Sequence, residues 1–166
     1  EYADNIHFYT NYRKMFEKHP EIQIVVVATP SGMHLEHSEE FISKYKKHVI
    51  VEKPTFMSPS QGNKIYKIAS QNGVKIFPIF QNRYNKAVQR VKSAILSREL
   101  GEIRLTSVRV RWCRPQRYYD LSEWRGTYSH DGGALSNQGI HHIDLLHLFL
   151  HLNNVINLCG VFLDWI

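Results

Sequence analysis

Three short β-branched runs, each followed by a helix-forming stretch, constrain this chain more than any other feature. Ile22-Gln-Ile-Val-Val-Val-Ala28, His48-Val-Ile-Val51 and Val74-Lys-Ile-Phe-Pro-Ile-Phe80 begin at positions 22, 48 and 74, a constant spacing of 26 residues. Nearly continuous apolar runs of this length fit strands buried on both faces of a parallel sheet. A constant spacing with a helix in each gap is the rhythm of consecutive βα units. The segment 22–80 is therefore predicted to form a doubly wound parallel sheet, whose ligands sit beyond the carboxyl ends of the strands. Thr29 to His34, Glu52 to Pro54 and Gln81 to Tyr84 lie at those ends.

The connecting helices carry their own signals. Tyr12, Met15 and Phe16 make an i, i+3, i+4 apolar stripe ahead of the first strand. A helix is predicted over 34–47. Ser58-Pro59-Ser60-Gln61 predicts a helix start with Ser58 as N-cap, Pro59 at the first helical position and Gln61 closing a capping box. Ile65, Ile68 and Ala69 supply its core stripe, and Asn72-Gly73 stops it. Pro78 weakens the later half of the third strand.

Beyond Gln81–Asn85 the pattern changes, which predicts a domain boundary there. Val88, Val91 and Ile95 predict a helix ending at Leu100-Gly101. From Ile103 to Cys113, Val108, Val110 and Trp112 alternate with Ser107, Arg109 and Arg111, the period of a half-exposed antiparallel strand. An aromatic loop through Tyr118-Tyr119 and Trp124-Arg125 leads into Asp131-Gly-Gly and a strongly apolar helix predicted from Leu135.

Bulk properties exclude several classes. At 166 residues, 43% hydrophobic and 22% charged, the chain has the composition of an ordinary globular protein. No apolar run reaches membrane-spanning length, and the acidic start does not read as a signal peptide. Cys113 and Cys159 are too few for a disulfide framework and suit a reducing cytoplasm. The net charge of +6 comes from dispersed cations with no nucleic-acid motif among them, so a solvated basic surface is expected and no nucleic-acid partner. The Arg109 and Arg111 face of the expected strand reads as solvated, with an anionic ligand as the competing role.

Two places could carry chemistry. On the apolar helix, Asn137, His141 and Asp144 fall on one stripe. Spacing alone favours His141 as a core histidine bonded to Asp144 or to backbone, with a catalytic base as the sharper alternative. Lys53, between Glu52 and Pro54 at a strand's carboxyl end, is either a surface lysine of a βα loop or a functional cation.

ATPSGMH, VIVEKP, FQNRYN and DGGALSNQGIHHID, in that order and spacing, resemble the glucose-fructose oxidoreductase and inositol dehydrogenase (Gfo/Idh/MocA) family over roughly Tyr9 to Leu150. Within it, YYD, EWRGT and SNQGIHHID are most similar to enzymes that oxidise the 3-hydroxyl of UDP-N-acetylglucosaminuronate. The resemblance implies the second half of a Rossmann-type parallel sheet, residues 1–84. It is followed over 85–166 by the start of an α+β substrate and oligomerisation domain with an open, mostly antiparallel sheet. It implies a dehydrogenase that moves a hydride from a sugar carbinol to NAD, with NADP not excluded, and a sugar or sugar-nucleotide substrate. It further implies a homo-oligomer when full length, in the cytoplasm and without a membrane. It gives Lys53, His141 and Asp144 catalytic roles, with His141 the proton acceptor. Thr29, Pro30, His34, Glu52, Lys53, Gln81, Trp124 and Arg125 face the cofactor in such relatives, and Lys53, Asn137, Gln138 and His141 the substrate. Asp144 is expected to orient His141 or to pair with Lys53.

The chain departs from the pattern in lacking a G-x-G-x-x-G loop, where a helix N-terminus would receive the pyrophosphate, and in the tail Val155–Ile166. It is therefore expected to be a piece of a longer protein, with weak NAD binding by itself. Two rival readings are a non-catalytic sugar-nucleotide-binding fragment and a metal enzyme using His141, Asp144, His147 and His151, of which His147 and His151 have helical spacing for zinc.

Overall fold

A computed structural model describes residues 6–151; the tail from 155 onward, Cys159 and the His151 side chain lie outside what it describes. The chain divides into two compact units, residues 1–79 and 80–166.

The first unit is a three-stranded parallel sheet in the order β1 (Ile24–Val27), β2 (His48–Val51), β3 (Ile76–Pro78). Val25 pairs with Val49, Val27 with Val51, and Val49 and Val51 in turn with Ile76 and Pro78. Because side chains alternate along a strand, this register puts the odd residues of β1 and β2 on one face. Val27, Val49, Val51 and Ile76 are buried there against Phe16 of α1 (Tyr12–Lys18), Phe41 and Ile42 of α2 (His34–Ser43), and Ile65 and Ala69 of α3 (Pro59–Gln71). Each fully buried Ile or Val of this layer contributes about 1.5–3 kcal/mol of transfer free energy. The other face departs from the expectation of two-sided burial: Ile24, Val26 and Phe77 are about half exposed, since no described helix packs on it.

Helix boundaries follow local chemistry. Ser58 caps α3, accepting from the Gln61 N–H at 3.3 Å, while Gln61 Oε1 accepts from the Met57 N–H at 2.9 Å. The glutamine thus reaches one residue further back than the capping box predicts. At the far end the Val74 N–H donates to Ala69 O and the Gly73 N–H to Ser70 O, with Gly73 at φ +67°, the paired bonds of a Schellman stop. Helix α2 ends four residues before the expected Lys47. There Lys46 takes φ +56° and the Lys47 N–H donates to Phe41 O, which sends the chain into β2.

In the second unit α4 (Lys86–Leu96) starts on Asn85, whose side chain accepts from the Ala87 N–H. It stops short of Leu100-Gly101 because Arg98, at φ +58°, takes the left-handed position. The Glu99 and Arg98 N–H groups then satisfy Ala94 O and Ile95 O. Residues 101–115 form no ladder among the described residues. The predicted strand is therefore not formed here: Val108, Val110 and Trp112 are all more than 40% exposed, and alternation without a pairing partner does not make a sheet. After α5 (Gln116–Asp120) and α6 (Tyr128–Asp131), a π-helical turn at Leu135–Gly139 leads into α7 (Ile140–His151).

Candidate active site

At the carboxyl ends of the first unit's strands, His34 organises the loops. Its ring is almost wholly buried, 1% exposed, with Nδ1 2.9 Å from Pro54 O and Nε2 2.8 Å from Thr29 O. Carbonyl oxygens only accept, so a ring N–H donates in each bond that is made. The side chain at the start of α2 thus ties the loop after β1 to the loop after β2. His34, expected to lie beside the cofactor, makes these two contacts to backbone carbonyls. Thr29 is exposed, with its hydroxyl 3.1 Å from His37 Nδ1. Pro30 precedes a turn of 3-10 helix at Ser31–Met33. The Glu52 carboxylate accepts from the Lys53 N–H at 3.0 Å, and the Lys53–Pro54 bond is cis. Glu52 and Lys53 are half-buried, so a hydroxyl, a carboxylate and an ammonium group crown the sheet edge.

The second unit holds the other predicted residues. Asn137, His141 and Asp144 are 5%, 7% and 8% exposed, the buried stripe expected from their spacing. Asp144, however, is held by a residue that sequence reasoning did not single out. Arg83, in the 3-10 turn Gln81–Tyr84, donates through Nε to Oδ2 at 2.7 Å and through Nη2 to Oδ1 at 2.5 Å. This fork-to-fork pairing joins residues 61 apart in the chain and anchors α7 to the turn after β3. The hydrogen bond to Asp144, then its charge, raises the guanidinium pKa further above its already high value, while burial opposes. Both carboxylate oxygens of Asp144 thus accept from Arg83, a partner that the spacing did not point to. Arg83 is visible in the string FQNRYN, but nothing in spacing connects it to Asp144.

Gln81 sits exposed at the start of the same turn. Gln138, beside Asn137, accepts from Arg114 Nη2 at 3.1 Å and donates to the Tyr118 hydroxyl at 3.3 Å. Trp124 and Arg125 are half-buried, the Arg125 guanidinium lying 5.1 Å from the Trp124 ring centre and 4.4 Å from that of Tyr118. Their loop is closed by Asp131, which accepts from the Gly126 N–H at 2.8 Å. Gly126 adopts φ +74°, and a Cβ there would stand 3.1 Å from the Tyr119 ring. No helix among the described residues is long and apolar enough to cross a membrane.

A family model described as "Oxidoreductase family, NAD-binding Rossmann fold" matches residues 2–80, and the Gfo/Idh/MocA C-terminal domain model matches 88–155. The WlbA dehydrogenase from Bordetella pertussis, solved with NADH and UDP-GlcNAcA, superposes with a TM-score of 0.78 at 37% identity, over 86% of this chain and 40% of that one. The scyllo-inositol 2-dehydrogenase (NADP(+)) IolW of Bacillus subtilis is 33% identical over 131 residues, 78% of this chain and 36% of that protein. Glucose-6-phosphate 3-dehydrogenase from the same organism is 31% identical over 124 residues, 74% of this chain and 35% of that protein. The chain thus spans well under half the length of the relatives it matches.

Proposed function

This chain belongs to the Gfo/Idh/MocA oxidoreductase family, and from that premise we propose that it carries residues of an NAD-dependent sugar dehydrogenase. We place its nicotinamide-cofactor region in residues 1–84 and its substrate region in 85–166. NADP remains an alternative cofactor, given the NADP(+)-dependent inositol dehydrogenase among the relatives. The proposed substrate is a sugar nucleotide, a UDP-N-acetylated hexuronate oxidised at its 3-hydroxyl, in keeping with the UDP-GlcNAcA complex of the WlbA enzyme. The observation that carries the reading is the buried stripe of Asn137, His141 and Asp144, within the stretch matched by the family's C-terminal domain model.

The sheet edge suits the cofactor: Thr29, Glu52 and Lys53 present polar groups beyond the carboxyl ends of parallel strands, where dinucleotides are received. A nicotinamide cofactor held by these residues would supply the hydride acceptor. The chain's own part is the proton and the charge. His141 accepts the hydroxyl proton as the carbon–oxygen double bond forms, a step worth about 10²–10⁴-fold for a positioned base. Lys53 donates a hydrogen bond to the developing alkoxide. Asp144, fixed by Arg83, holds the helix that presents His141. Thr29, Pro30, Gln81, Trp124 and Arg125 contact the cofactor, Asn137 and Gln138 the substrate, and the full-length protein is a homo-oligomer.

The test is turnover of UDP-GlcNAcA with NAD by the Lys53→Met and His141→Gln variants, alongside NAD affinity by fluorescence titration. Turnover should fall by about 10²-fold or more, with NAD affinity within about threefold of the unaltered protein. Near-normal turnover in both variants refutes the assignment.

A further inference from the structure

One group of side chains in the second unit has no part in the hydride chemistry. The Arg114 guanidinium is sandwiched between aromatic rings, 4.0 Å from the ring centre of Trp112 and 4.8 Å from that of Tyr118. Stacking of this kind holds a guanidinium flat and keeps its edge available for hydrogen bonding. One edge group, Nη2, reaches Gln138, which in turn holds the Tyr118 hydroxyl. Arg114 Nε is buried and has no hydrogen-bond partner among the described residues. None of the ion pairs among those residues involves Arg114. A buried N–H without an acceptor on an unpaired cation is unfavourable, and an oxyanion placed at that edge would relieve it. Arg114 also lines a cavity of about 460 Å³ with Pro115, Arg117, Tyr118 and Leu121, so a second guanidinium faces the same space and no carboxylate does.

We propose that Arg114, oriented by Trp112, Tyr118 and Gln138, binds an oxyanion of the substrate and selects anionic sugar derivatives over neutral ones. The oxyanion is either the uronate carboxylate or the diphosphate of a sugar nucleotide, both of which a planar guanidinium binds through paired N–H groups. The inference takes its ligand class from the dehydrogenase reading above, but is tested by binding alone.

The experiment is calorimetric titration of the NAD-saturated protein with UDP-GlcNAcA and with UDP-GlcNAc, which keeps the diphosphate and lacks the carboxylate. Arg114→Gln should weaken UDP-GlcNAcA binding at least tenfold. The control Arg104→Gln, at a side chain 85% exposed, should change it less than twofold. A loss that persists with UDP-GlcNAc assigns the diphosphate; a loss confined to UDP-GlcNAcA assigns the carboxylate. Should Arg114→Gln fail to fold, Arg114→Lys, which keeps the charge and loses the fork, should weaken binding about fivefold, and Tyr118→Phe about threefold. Unchanged affinity in the folded variants, or no binding by the unaltered protein, overturns the proposal. Binding without turnover would instead sink the dehydrogenase reading and leave this one standing.

Discussion

Removing Arg83 should cost more than removing the aspartate it binds. Asp144 is 8% exposed while the Arg83 side chain is 41% exposed, so the two losses leave different debris. With charge centres about 4 Å apart, the attraction is about 4 kcal/mol at an effective dielectric near 20. Truncating one partner of a fully buried pair costs about 3–5 kcal/mol; water already reaches much of the guanidinium here, which lowers the figure for Arg83→Met to about 2–3 kcal/mol. Asp144→Asn keeps the side-chain shape and leaves a cation that can turn to solvent, so its cost should be about 1 kcal/mol. Arg83→Met with Asp144→Leu should recover most of the single-variant loss, because no charge is then stranded. The assay is urea denaturation of all four proteins at neutral pH, followed by tryptophan fluorescence, with a double-mutant cycle drawn from the midpoints. Arg83's raised pKa places its contribution fully below the unfolded value and loses it only as pH rises through the higher folded one, so the cycle should not change between pH 6 and 9. A cost below about 0.5 kcal/mol for Arg83→Met, or a larger cost for Asp144→Asn, would refute the asymmetry argued from burial.

Three further outcomes are expected. His34→Ala leaves the Thr29 and Pro54 carbonyls without their buried donor and opens a cavity, and should lower stability by about 2–4 kcal/mol; a loss under about 1 kcal/mol in urea melts would show that water replaces the ring. Ser58→Ala removes the α3 cap and should cost about 1 kcal/mol, with Ser58→Gly milder by several tenths; equal costs would mean the hydroxyl does not cap. Glu40 accepts from the Tyr12 hydroxyl at 2.6 Å and lies near Arg13 and Lys44, contacts that hold its carboxyl below the usual range, the tyrosine bond foremost. A depressed folded pKa gives stability that is present above the unfolded value and lost as pH falls through the folded one. The stability gap between the unaltered protein and Glu40→Gln should therefore be full at neutral pH and shrink as pH drops below about 4.5. A gap independent of pH between 7 and 3 would contradict it.

What could be read from the residues follows from how local each signal is. The three strands and the Ser58 cap rest on interactions within a few positions, and the structure forms them. The stripe of Asn137, His141 and Asp144 survives because helical spacing puts the three on one side. Arg83 was hidden because its partner is 61 residues away and no period links them. The early stops of α2 and α4 were missed because Lys46 and Arg98 take a left-handed conformation that only glycine or asparagine announces in sequence. Alternation from Ile103 to Cys113 described a half-exposed segment correctly in pattern, but a strand is a pairing, and pairing is not a property of one segment. The family resemblance set His34 beside the cofactor; its contacts to the Thr29 and Pro54 carbonyls depend on how two loops approach each other, which no local signal shows.

The π-helical turn at Leu135–Gly139 makes the entry to α7 sensitive to insertions and deletions. Such a turn holds one residue more than an α-helix needs for the same rise. Deleting Gly139 would let the segment close as regular α-helix. The price would be paid in phase: everything before the deletion would swing by about 100° relative to α7. Asn137 and Gln138 would leave the side on which His141 and Asp144 remain. Chain length here sets which side chains share a face, so a stably folded variant one residue shorter would keep its helix and lose its constellation.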